Sequence, residues 1–197
     1  MGNVGSLSSA LYSQGWDPIL VSSDINTNEI SHLIIPGVGA YDAAMQLLHQ
    51  KNLTSFIHEF VATGKPIMGI CLGMQILSNT GAENAITKGL GLIQGHVAPM
   101  KKSNDFKLPH VGWNNLIVHT EHILLDGIKP NVDFYFVHSY CFHAQIEAEK
   151  IASTEYLDNF SSIIAKNNIF GVQFHPEKSQ KNGLKILDNF CLWDGKC

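Results

Sequence analysis

An α/β fold, a parallel sheet with helices on both faces, is predicted by three features of the 197-residue sequence. Apolar runs of strand length alternate with helical patterns through the first half of the chain. One of these runs ends in Gly69-Ile70-Cys71-Leu72-Gly73 and continues as Met74, Gln75, Ile76 and Leu77 at helical spacing. A second β-type run, far downstream, delivers Phe174-His175-Pro176-Glu177.

Taken in order, residues 5–14 carry a helical pattern that stops at Gly15. Ile19–Ser22 and His32–Pro36 read as short buried strands, and residues 40–63 as one long amphipathic helix ending at Gly64. Pro66–Ile70 is the strand that enters the cysteine turn. The second half is richer in strands: Leu92–Met100, Leu116–His119, Phe134–Val137, Ile151–Thr154, Ser162–Ala165 and Ile169–Phe174. A closing helix is expected over residues 179–192, and residues 80–89 and 101–108 are the expected flexible stretches.

Composition sets outer bounds on function. The length suits one enzyme domain spanning 1–197, with no repeat, low-complexity stretch or interdomain linker. Hydrophobic content of 45% with 15% charged residues is that of an ordinary soluble protein. A net charge of −4, without a run of more than two basic residues, argues against nucleic-acid binding. No apolar run reaches membrane-spanning length, and the N-terminus has no signal-peptide pattern. Cys141, Cys191 and Cys197 are scattered and, with Cys71, do not form a disulfide framework, so a reducing cytoplasmic setting is expected. The ten histidines are equally dispersed, and no metal or cofactor is implied.

The chemistry concentrates at Cys71. Gly-x-Cys-x-Gly is the thiol form of the nucleophile elbow, a strained strand-to-helix turn whose flanking side chains would collide with neighbouring backbone. A helix N-terminus beside the sulfur favours thiolate over thiol. His175 is the matching base, and Glu177 can orient the imidazole through its second nitrogen. Pro36-Gly37-Val38-Gly39 follows a strand and precedes a helix, so its backbone N–H groups can face a developing oxyanion, with the Leu72 amide as the second donor. His138-Ser139-Tyr140 ends an aromatic strand where a polar substrate can lie. Each residue alone has a plain structural explanation; the combination points to a nucleophilic cysteine enzyme.

Gly-Ile-Cys71-Leu-Gly-Met-Gln75 together with Val-Gln-Phe-His175-Pro-Glu177 resembles the triad (class I) glutamine amidotransferases. Pro-Gly-Val-Gly, Leu-Pro-His110-Val-Gly-Trp113-Asn114, Tyr-Phe-Val-His138-Ser-Tyr140 and His-Pro-Glu-Lys178-Ser narrow the resemblance to the glutaminase subunits of imidazole glycerol phosphate synthases, from Gly2 to about Phe190. The resemblance implies a three-layer α/β/α flavodoxin-like fold. It implies hydrolysis of glutamine to glutamate and ammonia, the ammonia passing to a separate (β/α)₈-barrel cyclase subunit. It casts Cys71 as nucleophile, His175 as base and then acid, and Glu177 as the group that holds the imidazole. Leu72 N–H and the Val38–Gly39 peptide take the oxyanion, with a Val38 amide that turns inward on a signal from the partner. Gly37, Gln75, Ser139 and Tyr140 lie against the amino-acid end of glutamine, with His138 as a neighbour, and Trp113, Asn114 and Tyr135 form the docking face.

The family also begins with an apolar strand directly before the Gly-Asn segment, where this sequence has Met1, so the expectation is a fold without its first strand and an upstream reading frame that encodes it. Lys178, where many histidine-pathway members have Arg, leaves open a paralogue that supplies ammonia to a surface-sugar amidating enzyme. A stand-alone Cys-His-Glu hydrolase is the remaining alternative.

Overall fold

The strand Ile67–Cys71 (β2) has five buried residues in a row, as a strand covered on both faces must. The computed structural model describes residues 4–21, 25–101 and 107–196. Leu33–Gly37 (β1) pairs with β2 in parallel and in full register, from Leu33 opposite Ile67 to Gly37 opposite Cys71. On its other side β2 pairs in parallel with Ile169–Val172 (β12).

Side chains alternate across β2 because a strand has a period of two. Met68 and Ile70 face one core, with Leu7 and Leu11 of the helix Val4–Tyr12 (α1) and Ile186, Leu187 and Phe190 of the helix Gln180–Leu192 (α5). Ile67 faces the other core, with Tyr41, Met45 and Leu48 of Tyr41–Gln50 (α2) and Ile57 and Phe60 of Leu53–Ala62 (α3). These two helical layers around a sheet are the expected α/β arrangement.

The sheet is mixed rather than parallel throughout. Beyond β12 come Asp158–Lys166 (β11), Tyr140–Ala144 (β9) and Gly95–Pro99 (β5), all joined antiparallel; β5 then pairs in parallel with Thr80–Gly81 (β3), which is antiparallel to Thr87–Lys88 (β4). Lys150–Tyr156 (β10) joins β11 through the single residue Leu157, and a connection that short can only reverse the chain. Ile117–Val118 (β7) flanks β10, while His110–Asn115 (β6) and Asp133–His138 (β8) form a separate antiparallel ribbon.

Three further expectations need correction. The long helix over 40–63 is two helices, broken where Asn52 adopts a left-handed φ of 55°, a conformation asparagine tolerates. The break re-aims the chain so that Ile57 and Phe60 return to the core. Ile19–Val21 is not a strand: no neighbour among the described residues supplies a ladder, and Leu20 is 74% exposed; Ser22 lies outside the described residues. Instead, among the described residues, β1 is the end of the sheet, and a cavity of about 530 Å³ lies beside it, lined by Leu7, Ile19, Ile35 and Phe56 among others. Leu92–Met100 is a strand only over β5, because the Leu92 and Ile93 amides donate to the Leu77 carbonyl instead. Of the stretches expected to be flexible, residues 80–89 hold the short β3–β4 hairpin, and of 101–108 the stretch 102–106 lies outside the described residues.

Candidate active site

Cys71 ends β2, and the short helix Leu72–Gln75 (α4) begins at the next residue. Its backbone sits at φ 54°, ψ −111°, a conformation that costs a non-glycine residue about 1–3 kcal/mol and persists only where its surroundings enforce it. The glycines do the enforcing. A Cβ on Gly73 would lie 1.7 Å from the Ile35 carbonyl oxygen, and one on Gly69 would lie 2.6 Å from the Gly73 carbonyl oxygen. Across the turn, a Cβ on Gly37 would meet Leu72 Cβ at 2.9 Å, so the end of β1 can lie directly against the elbow. That contact sets Val38 and Gly39 beside the nucleophile turn; Val38 is half-exposed and Gly39 takes φ 106°.

His175 follows β12, and its backbone N–H donates to the Tyr135 carbonyl at 2.9 Å. The imidazole is 4% exposed, with Nδ1–H donating to Glu177 Oε1 at 2.9 Å, which leaves Nε2 for the sulfur of Cys71. Burial pulls this imidazole down, but hydrogen bonds to Cys71 and Glu177, with the charges on both, raise it from 6.5 to about 9. Glu177 Oε2 is buried with no hydrogen-bond partner among the described residues, and the imidazole holds this carboxylate through Oε1. A strained cysteine, a carboxylate-held histidine and adjacent backbone amides make an arrangement suited to attack on a carbonyl carbon.

Gln75 is buried one turn beyond Cys71. Its Nε2 donates both to the Tyr140 carbonyl at 2.9 Å and to Gln173 Oε1 at 3.0 Å, so its own side-chain oxygen is the atom left for a ligand. Ser139 links β8 to β9 beside it and Tyr140 opens β9; both are half-buried. His138 is buried and does not open onto this space as a free ligand. Its Nδ1–H donates to the Tyr140 carbonyl at 2.8 Å, which makes Nε2 the acceptor for His110 Nδ1–H at 3.0 Å. Burial lowers His138 to about 3 against the pull of the Tyr140 bond, and lowers His110 to about 4, so both are neutral near pH 7. His110 is stacked between Tyr156 and Phe136, with ring centroids 3.9 and 5.0 Å away.

The three residues expected on a docking face, Trp113, Asn114 and Tyr135, share the β6–β8 ribbon. Trp113 is 46% exposed and packs edge-on against Tyr135, with centroids 5.7 Å apart, and Lys178 Nζ lies 5.8 Å above the Tyr135 ring. Asn114 Nδ2 donates to the Glu155 carbonyl at 3.1 Å. Only the Tyr135 backbone reaches the active site, through His175 N–H on one side and the Ser179 hydroxyl on the other.

One site residue has no role in the sequence reading. Gln173 is fully buried and its Nε2 donates to Cys71 Sγ at 3.6 Å. The available signal is its place two residues before His175 in a strand, which puts both side chains on one face. Among the described residues, no group of three or more His, Cys, Asp or Glu could hold a metal ion, and no helix is long and apolar enough to cross a membrane.

Residues 2–193 match the family model for class-I glutamine amidotransferases, and the chain belongs to that family. Among its relatives is imidazole glycerol phosphate synthase subunit HisH 2 of Methanococcus maripaludis, 41% identical over 191 residues that cover 96% of this chain and 94% of that protein. The HisH 2 subunit of Vibrio vulnificus is 44% identical over 195 residues, covering 98% and 91%. At the level of fold, the structure of PurLQS from Thermotoga maritima superposes with a TM-score of 0.73 at 18% identity, covering 95% of this chain and 91% of that one.

Proposed function

We propose that this chain is the glutaminase subunit of an imidazole glycerol phosphate synthase, hydrolysing glutamine and handing the ammonia to a (β/α)₈-barrel cyclase partner in the cytosol. The observation that carries the reading is the Cys71–His175–Glu177 constellation on a strained elbow, in a chain more than 40% identical to HisH subunits over nearly its whole length.

Glutamine enters with its carboxamide over Cys71 and its amino-acid end toward Gly37, Gln75, Ser139 and Tyr140. The Cys71 thiolate attacks the carboxamide carbon, and the oxygen takes up negative charge facing the Leu72 amide and the Val38–Gly39 peptide. The His175 imidazolium gives its proton to the amide nitrogen as the C–N bond breaks, so that the nitrogen leaves as ammonia and a γ-glutamyl thioester remains. A water molecule, deprotonated by His175, then attacks the thioester carbon, and glutamate leaves as the thiolate reforms. Glu177 holds the ring in one orientation through both steps.

Exposed Trp113 with Tyr135 supports an interface anchor at the β6–β8 ribbon, since desolvated aromatic side chains dominate binding energy at such surfaces. The Val38 amide turns toward the oxyanion when the loaded partner docks, linking hydrolysis to the presence of an acceptor. The test is glutamate release by the chain alone and with the cyclase of the same genome plus its nucleotide ligand, with Cys71→Ala as blank. Strong stimulation by the partner is expected; equal rates with and without it would overturn the switch at Val38. Release that survives Cys71→Ala would overturn the whole mechanism.

A further inference from the structure

The hydrogen bonds around Gln173 have a direction that is fixed from one end. The Tyr140 carbonyl can only accept, so the atom of Gln75 facing it at 2.9 Å is the amide nitrogen. That nitrogen also donates to Gln173, which turns the Gln173 oxygen toward Gln75, at 3.0 Å, and the Gln173 nitrogen toward Cys71 Sγ, at 3.6 Å. The Gln173 backbone is pinned as well, its N–H donating to the Ser162 carbonyl at 2.9 Å, and the residue is fully buried. A buried, pre-oriented N–H aimed at sulfur favours the charged form of that sulfur, and burial strengthens the bond.

We propose that Gln173 is a catalytic hydrogen-bond donor of this site: its side-chain amide, locked by Gln75 and the Tyr140 carbonyl, donates to Cys71 Sγ and holds the sulfur as a thiolate aimed at the substrate. His175 approaches the same sulfur, and the Val137 carbonyl faces it at 3.8 Å as an acceptor for the thiol form, so two donors favour the thiolate against one long contact that does not. The histidine must turn away to protonate the leaving group, whereas the amide stays in place through the cycle. When the thiolate becomes a thioester the amide loses a charged acceptor, and the bond strengthens again as glutamate departs. The groups that titrate round this sulfur are His175, Glu177 behind it on the same turn, and His138, which faces His175 from β8.

The inference rests on the reading of Cys71 as the nucleophile, and its test is independent of turnover. The rate of Cys71 alkylation by iodoacetamide is followed against pH in the wild-type chain and in Gln173→Met, which keeps the volume and loses the donor. The midpoint of that profile is expected to rise by about one pH unit, the size of one hydrogen bond to a charged acceptor. The kcat for glutamine is expected to fall by about tenfold with KM little changed. A folded Gln173→Met chain whose midpoint is unmoved overturns the proposal, even if its melting temperature drops, because a merely structural glutamine predicts that pattern. Should the variant not fold, the wild-type Gln173 side-chain amide resonances give the second reading. They are expected to shift with the alkylation midpoint and to stop shifting in Cys71→Ala; resonances that ignore that titration overturn it equally. Loss of the Cys71 assignment itself would show as undiminished glutamate release by Cys71→Ala.

Discussion

Two cysteines of this chain are buried in strands beside a histidine, and only one is built to react. Cys141 on β9 lies 3.4 Å from His143 Nε2, a shorter separation than most sulfur hydrogen bonds need. Both thiols also face a backbone carbonyl, Cys141 that of Ala98 at 3.9 Å and Cys71 that of Val137 at 3.8 Å, but burial, with the charge of Asp158, pushes Cys141 up to about 12. His143 is lowered by burial and by its stacked neighbour His96, 5.2 Å away. At Cys71 the partner histidine is instead raised, because a carboxylate holds its far nitrogen and the sulfur holds the near one. The lesson is that proximity of sulfur to imidazole is cheap. What separates the two regions is the strained turn, the glutamate behind the ring and the amide donors in front.

The sharpest way to break this comparison is to remove each sulfur in turn. Cys71→Ala is expected to lower glutamine hydrolysis by about 10⁴-fold or more, while Cys141→Ala leaves kcat within about twofold and costs only packing. Equal losses in steady-state rates would erase the distinction. Chemical selectivity comes next: near pH 8, iodoacetamide should modify Cys71 at least about 10³ times faster than Cys141, read by peptide mass mapping over time. Cys191, pushed up to about 11 by burial, should also lag.

Glu177→Gln sharpens the account of why His175 differs from His143. With the ring no longer held against a carboxylate, kcat is expected to fall by about 10² to 10³-fold, and the basic limb of the pH–rate profile to move to lower pH. A profile that does not move would mean that Glu177 only fills space.

The smallest effect concerns stability. His110 and His138 are held neutral at about 4 and about 3, whereas an unfolded histidine titrates at 6.5. Between these values the unfolded chain binds more protons, so their contribution is present above 6.5 and lost as pH falls, at about 1.4 kcal/mol per pH unit for each. His175 acts in the opposite sense: raised to about 9, its contribution is fully present below 6.5 and lost as pH rises through about 9. The urea midpoint should therefore fall on both sides of a maximum between these limits, and a midpoint that is flat on the acid side would contradict neutral burial of the histidine pair.

The elbow was legible in the sequence because local sterics dictate it: Gly69 and Gly73 flank Cys71 at the spacing a strand-to-helix turn demands, and His175-Pro-Glu177 carries its base and carboxylate within one turn. The plan of a sheet with helices on both faces was legible for the same local reason, through periodicity. The rest depends on partners distant in the chain. β9 is a strand because β5 and β11 flank it, and β6 because β8 does, with nothing in their composition separating them from loops. Ile19–Val21 has a strand's composition and, among the described residues, no neighbour to pair with. The kink at Asn52 interrupts an unbroken amphipathic pattern, and Gln173 meets Gln75 and Cys71 only once β12 lies against β2.

The space at Gly73 has a consequence for how this sequence can change. Any replacement puts a carbon where the Ile35 carbonyl oxygen already stands, 1.7 Å away. Every amino-acid change open to a glycine codon by one base introduces such a carbon, so the position has no neighbouring solution to drift toward. A library of all single variants, selected for glutamine hydrolysis, should return one residue there. At Cys141 the same library should tolerate small apolar replacements, and the boundary between mutable and immutable chain would trace the outline of the elbow.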